Sequence, residues 1–193
     1  YTSYGNNTEG IGIVLACYAT SVDGINWEKP SLGLVEFNGS SDNNIIGKYE
    51  VANVIKDKNE SDPAKRYKMI TYTAEGAYSA WYSADGLSWT RNNYIFKGAD
   101  VISASWDNTN NRFYSVVKLM LDKRNQWTMV ADSINSWSVP VMSNTLADLT
   151  DTRLCRRADS YGMGLYERDG VYIGFNWLFY IPGTNAMEGI IEP

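Results

Sequence analysis

Ser21-Val22-Asp23-Gly24-Ile25-Asn26-Trp27 recurs as Ser83-Ala84-Asp85-Gly86-Leu87-Ser88-Trp89, with four of seven positions identical. Ala131-Asp132-Ser133-Ile134-Asn135-Ser136-Trp137 is a degraded third copy, carrying Ser133 where the others carry aspartate. The first and third copies place a proline three residues after the tryptophan, at Pro30 and Pro140. Each copy follows an alternating apolar run: Ile13 to Tyr18, Tyr78 to Tyr82 and Trp127 to Val130. Alternation that ends in Asp-Gly reads as a strand entering a tight turn. The tryptophans are spaced by 62 and then 48 residues. Such a period marks an array of supersecondary units, and with strands only it marks propeller blades.

A second repeat runs out of phase with the first. Glu50 to Asp57 aligns with Asp100 to Asp107, and Asp159 to Glu167 follows the same plan with one extra residue. Each is an acid, a short apolar run and a second acid that opens a turn. A further strand follows each time, at Arg66 to Tyr72, Arg112 to Leu119 and Val171 to Phe179. Helical periodicity with capping signals is absent beyond a turn or two. The sequence therefore predicts an all-β chain built of four-stranded blades, with Trp27, Trp89 and Trp137 buried in them.

The spacing of leading acid and tryptophan predicts a partial propeller domain over 1–193. Complete blades are expected at 50–99 and 100–150, with half-blades at 1–49 and 151–193. The end strands around Ile13 to Tyr18 and Val171 to Phe179 are expected to lack neighbours, which predicts pairing with another chain and an oligomer.

Composition narrows the chemistry. The net charge is −5 without a basic stripe, which argues against nucleic acid as a partner. No apolar run is long enough to span a membrane as a helix. Histidine is absent, which excludes Ser-His-Asp and Cys-His catalysis and any histidine-containing zinc site. Cys17 and Cys155 lack metal-ligand spacing, and Cys17 reads as a buried free thiol. No cofactor and no metal is called for. Asp148-Leu149-Thr150-Asp151 could offer carboxylates to Ca²⁺, although hairpin-loop chemistry also accounts for it.

The stretch Cys17 to Pro30, running on through Leu32 to Ser40 and Asn43-Asn44-Ile45, resembles bacterial glycoside hydrolase family 32-like proteins. Asp62 to Lys68 and Gly170 to Phe175 resemble the same group. The resemblance implies a five-bladed β-propeller of the invertase-like and arabinanase-like glycosidases, a carbohydrate partner, and a secreted or periplasmic location. Such enzymes set carboxylates at inner-strand starts, converging on an axial funnel as nucleophile, general acid and transition-state stabiliser. The matching positions are Glu50, Asp100 and Asp159, the catalytic candidates. The family's Asn-Asp-Pro-Asn motif would fall before Tyr1, its Arg-Asp-Pro motif is replaced by Ala99-Asp100-Val101, and its Glu-Cys pair is absent.

Each candidate has a plainer role. Glu50, Asp100 and Asp159 could cap loops by accepting backbone N–H bonds. Arg156 and Arg157 could ion-pair with Asp159 or bind an anionic sugar, and Arg157 is the substrate-binding candidate of the two. Tyr161 and Trp106, outside the tryptophan repeat, could stack on a pyranose. Asp57, Asp107 and Glu167 read as turn openers. The expected function is thus a glycosidase-like propeller acting on or binding glycans, with a non-catalytic binding propeller or a structural repeat module as alternatives.

Overall fold

The computed structural model describes residues 1–73, 75–120, 124–144 and 155–182. They are all-β, with a single 3-10 turn at Pro63–Lys65. The chain divides into two compact units, Tyr1–Tyr94 and Ile95–Pro193.

In the first unit, β1 (Thr2–Asn6), β2 (Gly12–Cys17) and β3 (Ile45–Gly47) form an antiparallel sheet in that order. Leu15, Cys17 and Ile45 are its core, with Ile13, Val35 and Phe37 packed against them. Cys17 is buried and free. The strand expected to lack a neighbour, β2, is instead the central one, because Thr2–Asn6 supplies a partner that its short polar sequence did not announce.

A four-stranded antiparallel meander follows: β4 (Glu50–Lys56), β5 (Tyr67–Tyr72), β6 (Ala77–Ser83) and β7 (Thr90–Lys97). Met69, Ile70, Tyr78 and Ala80 are fully buried in it. Asp57 opens the β4–β5 turn and accepts from the backbone of Asn59 at 3.0 Å. Buried Lys68 donates to Asp57 at 2.8 Å, to Glu60 at 2.9 Å and to the Lys65 carbonyl at 3.2 Å. Three acceptors around one ammonium offset its desolvation.

The repeated turns share one construction. Asp23 Oδ1 accepts from the amides of Ile25 and Asn26, both at 2.8 Å, and Asp85 Oδ1 from Leu87 and Ser88 at 2.8 and 2.9 Å. The backbone bonds, Asn26 first, hold the Asp23 carboxyl far below the usual carboxylate range. Gly24 and Gly86 take the left-handed φ that the turn requires, 74° and 80°. Each tryptophan then donates its indole N–H three residues back: Trp27 to Gly24 at 3.2 Å, Trp89 to Gly86 at 3.2 Å and Trp137 to Ile134 at 2.8 Å. Burial does not follow. Trp27 is 58% exposed, and Trp89 and Trp137 are half-buried. The expectation of buried tryptophans is corrected because the turn fixes the indole by its N–H, independently of what covers the ring.

In the second unit, β8 (Ile102–Asp107), β9 (Arg112–Met120), β10 (Arg124–Ala131) and β11 (Val141–Asn144) form another four-stranded meander. Its core includes Ile102, Phe113, Val116, Val117, Met129 and Ile134. β12 (Cys155–Arg168) and β13 (Val171–Pro182) form a long hairpin. Among the described residues, β13 pairs with β12 only. The hairpin packs on the meander: the Leu165 amide donates to Ser103 at 3.0 Å, and Gln126 Nε2 donates to the Ser160 carbonyl at 3.0 Å. Gly162 permits the close approach, since a Cβ there would stand 2.7 Å from Val101 and 2.6 Å from Trp177.

At the turn end of this packing, Tyr172 donates to Asp107. The same carboxylate accepts from the Thr109 amide at 3.0 Å and from the Asn110 amide and side chain at 2.9 and 2.7 Å. Burial disfavours its charge, yet these hydrogen bonds, Tyr172 first, override that and hold Asp107 at about 2. Tyr172 is pushed up to about 12 by burial and by its bond to Asp107. The Asp107 contribution is therefore complete above the ordinary carboxylate value of 3.8 and lost as pH falls through about 2. The Tyr172 contribution is complete below its ordinary 10.0 and lost as pH rises through about 12. Asp107→Asn should melt lower at neutral pH but lose less melting temperature between about pH 4 and 2 than the native chain. Equal acid slopes in the two proteins would contradict this assignment.

Candidate functional site

The three candidate acids lie at or beside β-bulges. In the first unit Glu50 pairs with Tyr72 and Asn53 with Ile70, so Val51 and Ala52 together oppose Thr71. Val51 has φ 51°, a left-handed conformation that a β-branched residue adopts only under local constraint. In the second unit the Lys118 carbonyl accepts from Ala99 at 3.2 Å and its amide donates to Val101 at 3.0 Å. Asp100 between them is skipped, at the apex of a turn closed by Val101 N–H to the Ala99 carbonyl at 2.9 Å. In β12 Ser160 pairs with Leu178 and Gly162 with Trp177, which leaves Tyr161 as the inserted residue. That insertion is the extra residue in the third copy of the second repeat. A bulge turns a side chain away from the pleat, and bulges concentrate beside functional sites.

Tyr161 and Asp100 meet around two cations. Lys118, 2% exposed, ion-pairs with Asp100, whose side chain is 43% exposed. The Lys118 ammonium also lies 3.9 Å from the centroid of the Tyr161 ring. The Arg124 guanidinium lies 5.6 Å from the Tyr161 ring and 4.4 Å from the Phe179 ring. Arg124 Nη1 pairs with Asp159 at 3.3 Å, and its backbone amide donates to the same oxygen at 3.4 Å. The Tyr161 and Phe179 rings are 5.7 Å apart and tilted by 35°. Two carboxylates, two cations and two rings thus meet in one cluster. Cation–π contacts at desolvated positions are worth about 2 kcal/mol each.

The candidate acids have different access. Asp159 is 0% exposed in its side chain and faces Arg124. Asp100 opens to solvent, with buried Lys118 behind it. Glu50 belongs to the first unit, where it opens β4 half-exposed. Tyr161 is half-buried and committed to the cations, so only its outer part is left to a ligand. Trp106 stands at the far end of β8 from Asp100, edge-on to Phe113 at 4.7 Å, and its buried indole N–H finds no acceptor among the described residues. Arg157 pairs in register with Ile181; its side chain, like those of Arg156 and Cys155, lies outside the described residues.

Lys118, Arg124, Gln126 and Phe179 were not singled out from sequence. Lys118 carried a signal, being a charge inside the apolar run Val116-Val117-Lys118-Leu119. Among the described residues no group of three or more His, Cys, Asp or Glu converges as a metal site, and the Asp148 to Asp151 loop lies outside them. No helix among the described residues is long and apolar enough to cross a membrane.

No protein-family model matches the chain, and no curated protein matches it.

Arg124→Met would remove a charged partner from buried Asp159, which costs about 3 kcal/mol. Asp169→Asn, breaking the exposed Arg168–Asp169 pair whose side chains are 75% and 89% accessible, should cost under about 1 kcal/mol. Urea unfolding of both variants measures the contrast. Equal losses would show that the Arg124–Asp159 pair is not a buried structural tie.

Proposed function

We propose that this protein is a glycan-binding β-propeller of the glycoside hydrolase family 32-like type, in which Asp100 accepts hydrogen bonds from sugar hydroxyls. Two features support the propeller reading. Each four-stranded meander, Glu50–Lys97 and Ile102–Asn144, has the strand count and simple antiparallel order of a blade. The Ser-x-Asp-Gly-x-x-Trp turn recurs before the outer strand of the first meander and its degraded form before that of the second.

The observation that carries the binding reading is the asymmetry between Asp100 and Asp159. Glycoside hydrolysis needs two carboxyl groups that both reach one sugar. Asp100 is accessible, whereas Asp159 is enclosed and held by Arg124. An accessible carboxylate fixed by a buried ammonium is a preorganised acceptor, which reduces the ordering cost of binding. Arg124, its side chain 25% exposed, sets its guanidinium against the same Tyr161 ring that Lys118 touches.

Asp100→Asn keeps an oxygen for Lys118 but removes the charge that balances it, so some stability is lost and binding must be measured well below the melting temperature. Calorimetric titration against a panel of neutral oligosaccharides should give binding that Asp100→Asn weakens by about tenfold, the effect of losing one charge-assisted hydrogen bond. The same panel offered as aryl glycosides should not be cleaved. Turnover abolished by Asp100→Asn would establish the hydrolase instead. Binding indifferent to Asp100→Asn would refute the role given to this residue.

A further inference from the structure

We infer that the first unit carries a separate site for an acidic sugar, in which Tyr1 and Trp27 receive the apolar face of a pyranose and Lys29 its carboxylate. A cavity of about 450 Å³ is lined by Tyr1, Ala19, Trp27 and Lys29. That size holds one or two sugar rings, within the usual range for small-molecule sites.

Both rings are exposed and both are held. Trp27 is 58% and Tyr1 57% accessible. The Trp27 indole is fixed by its bond to the Gly24 carbonyl at 3.2 Å, in a turn that Asp23 and Ser21 hold through four further backbone contacts. Tyr1 is fixed at both ends, its carbonyl accepting from Cys17 at 2.8 Å and its hydroxyl from Asn44 Nδ2 at 3.0 Å. Rings immobilised before the ligand arrives give contact area at little entropic cost. The other copies of the turn serve as internal controls. Trp89 and Trp137 make the same indole bond but are half-buried, and Trp137 leans on Phe113 at 6.4 Å. The other two copies thus partly cover this ring, and the first copy leaves it open.

Lys29 supplies the charge. Its ammonium stands 5.3 Å from the centre of the Tyr1 ring. No carboxylate among the described residues pairs with it, in contrast to Lys65, Lys68 and Lys118. An apolar double-ring surface beside an unpaired ammonium matches a sugar that has an apolar face and an acidic substituent, a uronic acid. The site is independent of Asp100 and does not rest on the propeller reading.

The test titrates the full chain with tetragalacturonate and with neutral cellotetraose, following intrinsic tryptophan fluorescence and heat. Saturable binding of tetragalacturonate is expected, with cellotetraose weaker. Trp27→Ala should weaken tetragalacturonate binding by about tenfold, and Trp27→Phe should restore most of it. Lys29→Met should remove the preference for the acidic sugar, and the exposed-surface variant Asp169→Asn should leave both titrations unchanged. Trp27 and Lys29 are exposed, so circular dichroism of these variants should match the native chain. Absence of saturable binding overturns the proposal, as does binding that survives Trp27→Ala or a preference that survives Lys29→Met. Loss of tetragalacturonate binding in Asp100→Asn would move the site to the second unit and equally overturn it.

Discussion

A lysine buried in a β-sheet must be met by negative charge, and each four-stranded meander of this protein is organised around that requirement. Lys68 enters near the start of its strand and Lys118 near the end of its own. Lys68 is met by Asp57, Glu60 and the Lys65 carbonyl. All its donors are used within the protein, and the result is a closed turn. Lys118 is met by Asp100 and by the face of Tyr161. That enclosure is incomplete, because Asp100 remains 43% exposed. The same electrostatic demand therefore yields a structural staple in one sheet and an outward-facing acceptor in the other.

Bulges make the second outcome possible. An unbroken ladder would send Asp100 into the pleat, where it would alternate with its neighbours across the sheet. Skipped by the ladder, it turns toward Lys118. The insertion of Tyr161 in β12 has a matching effect, carrying its ring to the same ammonium. Gly162, next in sequence, lets the hairpin come close enough to Val101 for the contact to form. Cluster, bulge and glycine depend on one another, and a side chain at 162 would push the ring away from the cation it covers.

The three tryptophan turns separate local from global determinants. The carboxylate or hydroxyl caps and the indole bonds of all three, and the left-handed glycines of the first two, are made within seven residues, so they recur where those residues recur. Even the third copy, without its aspartate, keeps the indole bond, because Ser133 and Ser136 close the turn through the Ser136 amide and the Ser133 carbonyl at 2.9 Å. Whether the ring is covered depends on residues far away in sequence, and the three copies differ there.

Alternation, Asp-Gly turns and the repeated acid-to-acid spacing were enough to read the all-β class, the strands β2, β5, β6, β9, β10 and β13, and the turn-opening roles of Asp57 and Asp107. All of these rest on contacts between near neighbours, which leave a period in the sequence. β1 was not legible, since Thr-Ser-Tyr-Gly-Asn has no apolar alternation and becomes a strand only by pairing with β2. Of the site, the sequence marked Asp100, Asp159 and Tyr161 as candidates and the inserted residue as an irregularity. That Asp159 would be sealed by Arg124 while Asp100 stayed open was decided by packing of the β12–β13 hairpin on the meander, over separations of 35 residues for Asp159 and 43 for Tyr161. Trp106 reads in sequence as close to Asp100, yet an extended strand carries it to the opposite end. Accessibility is a property of surfaces brought together by folding, and no local pattern encodes it.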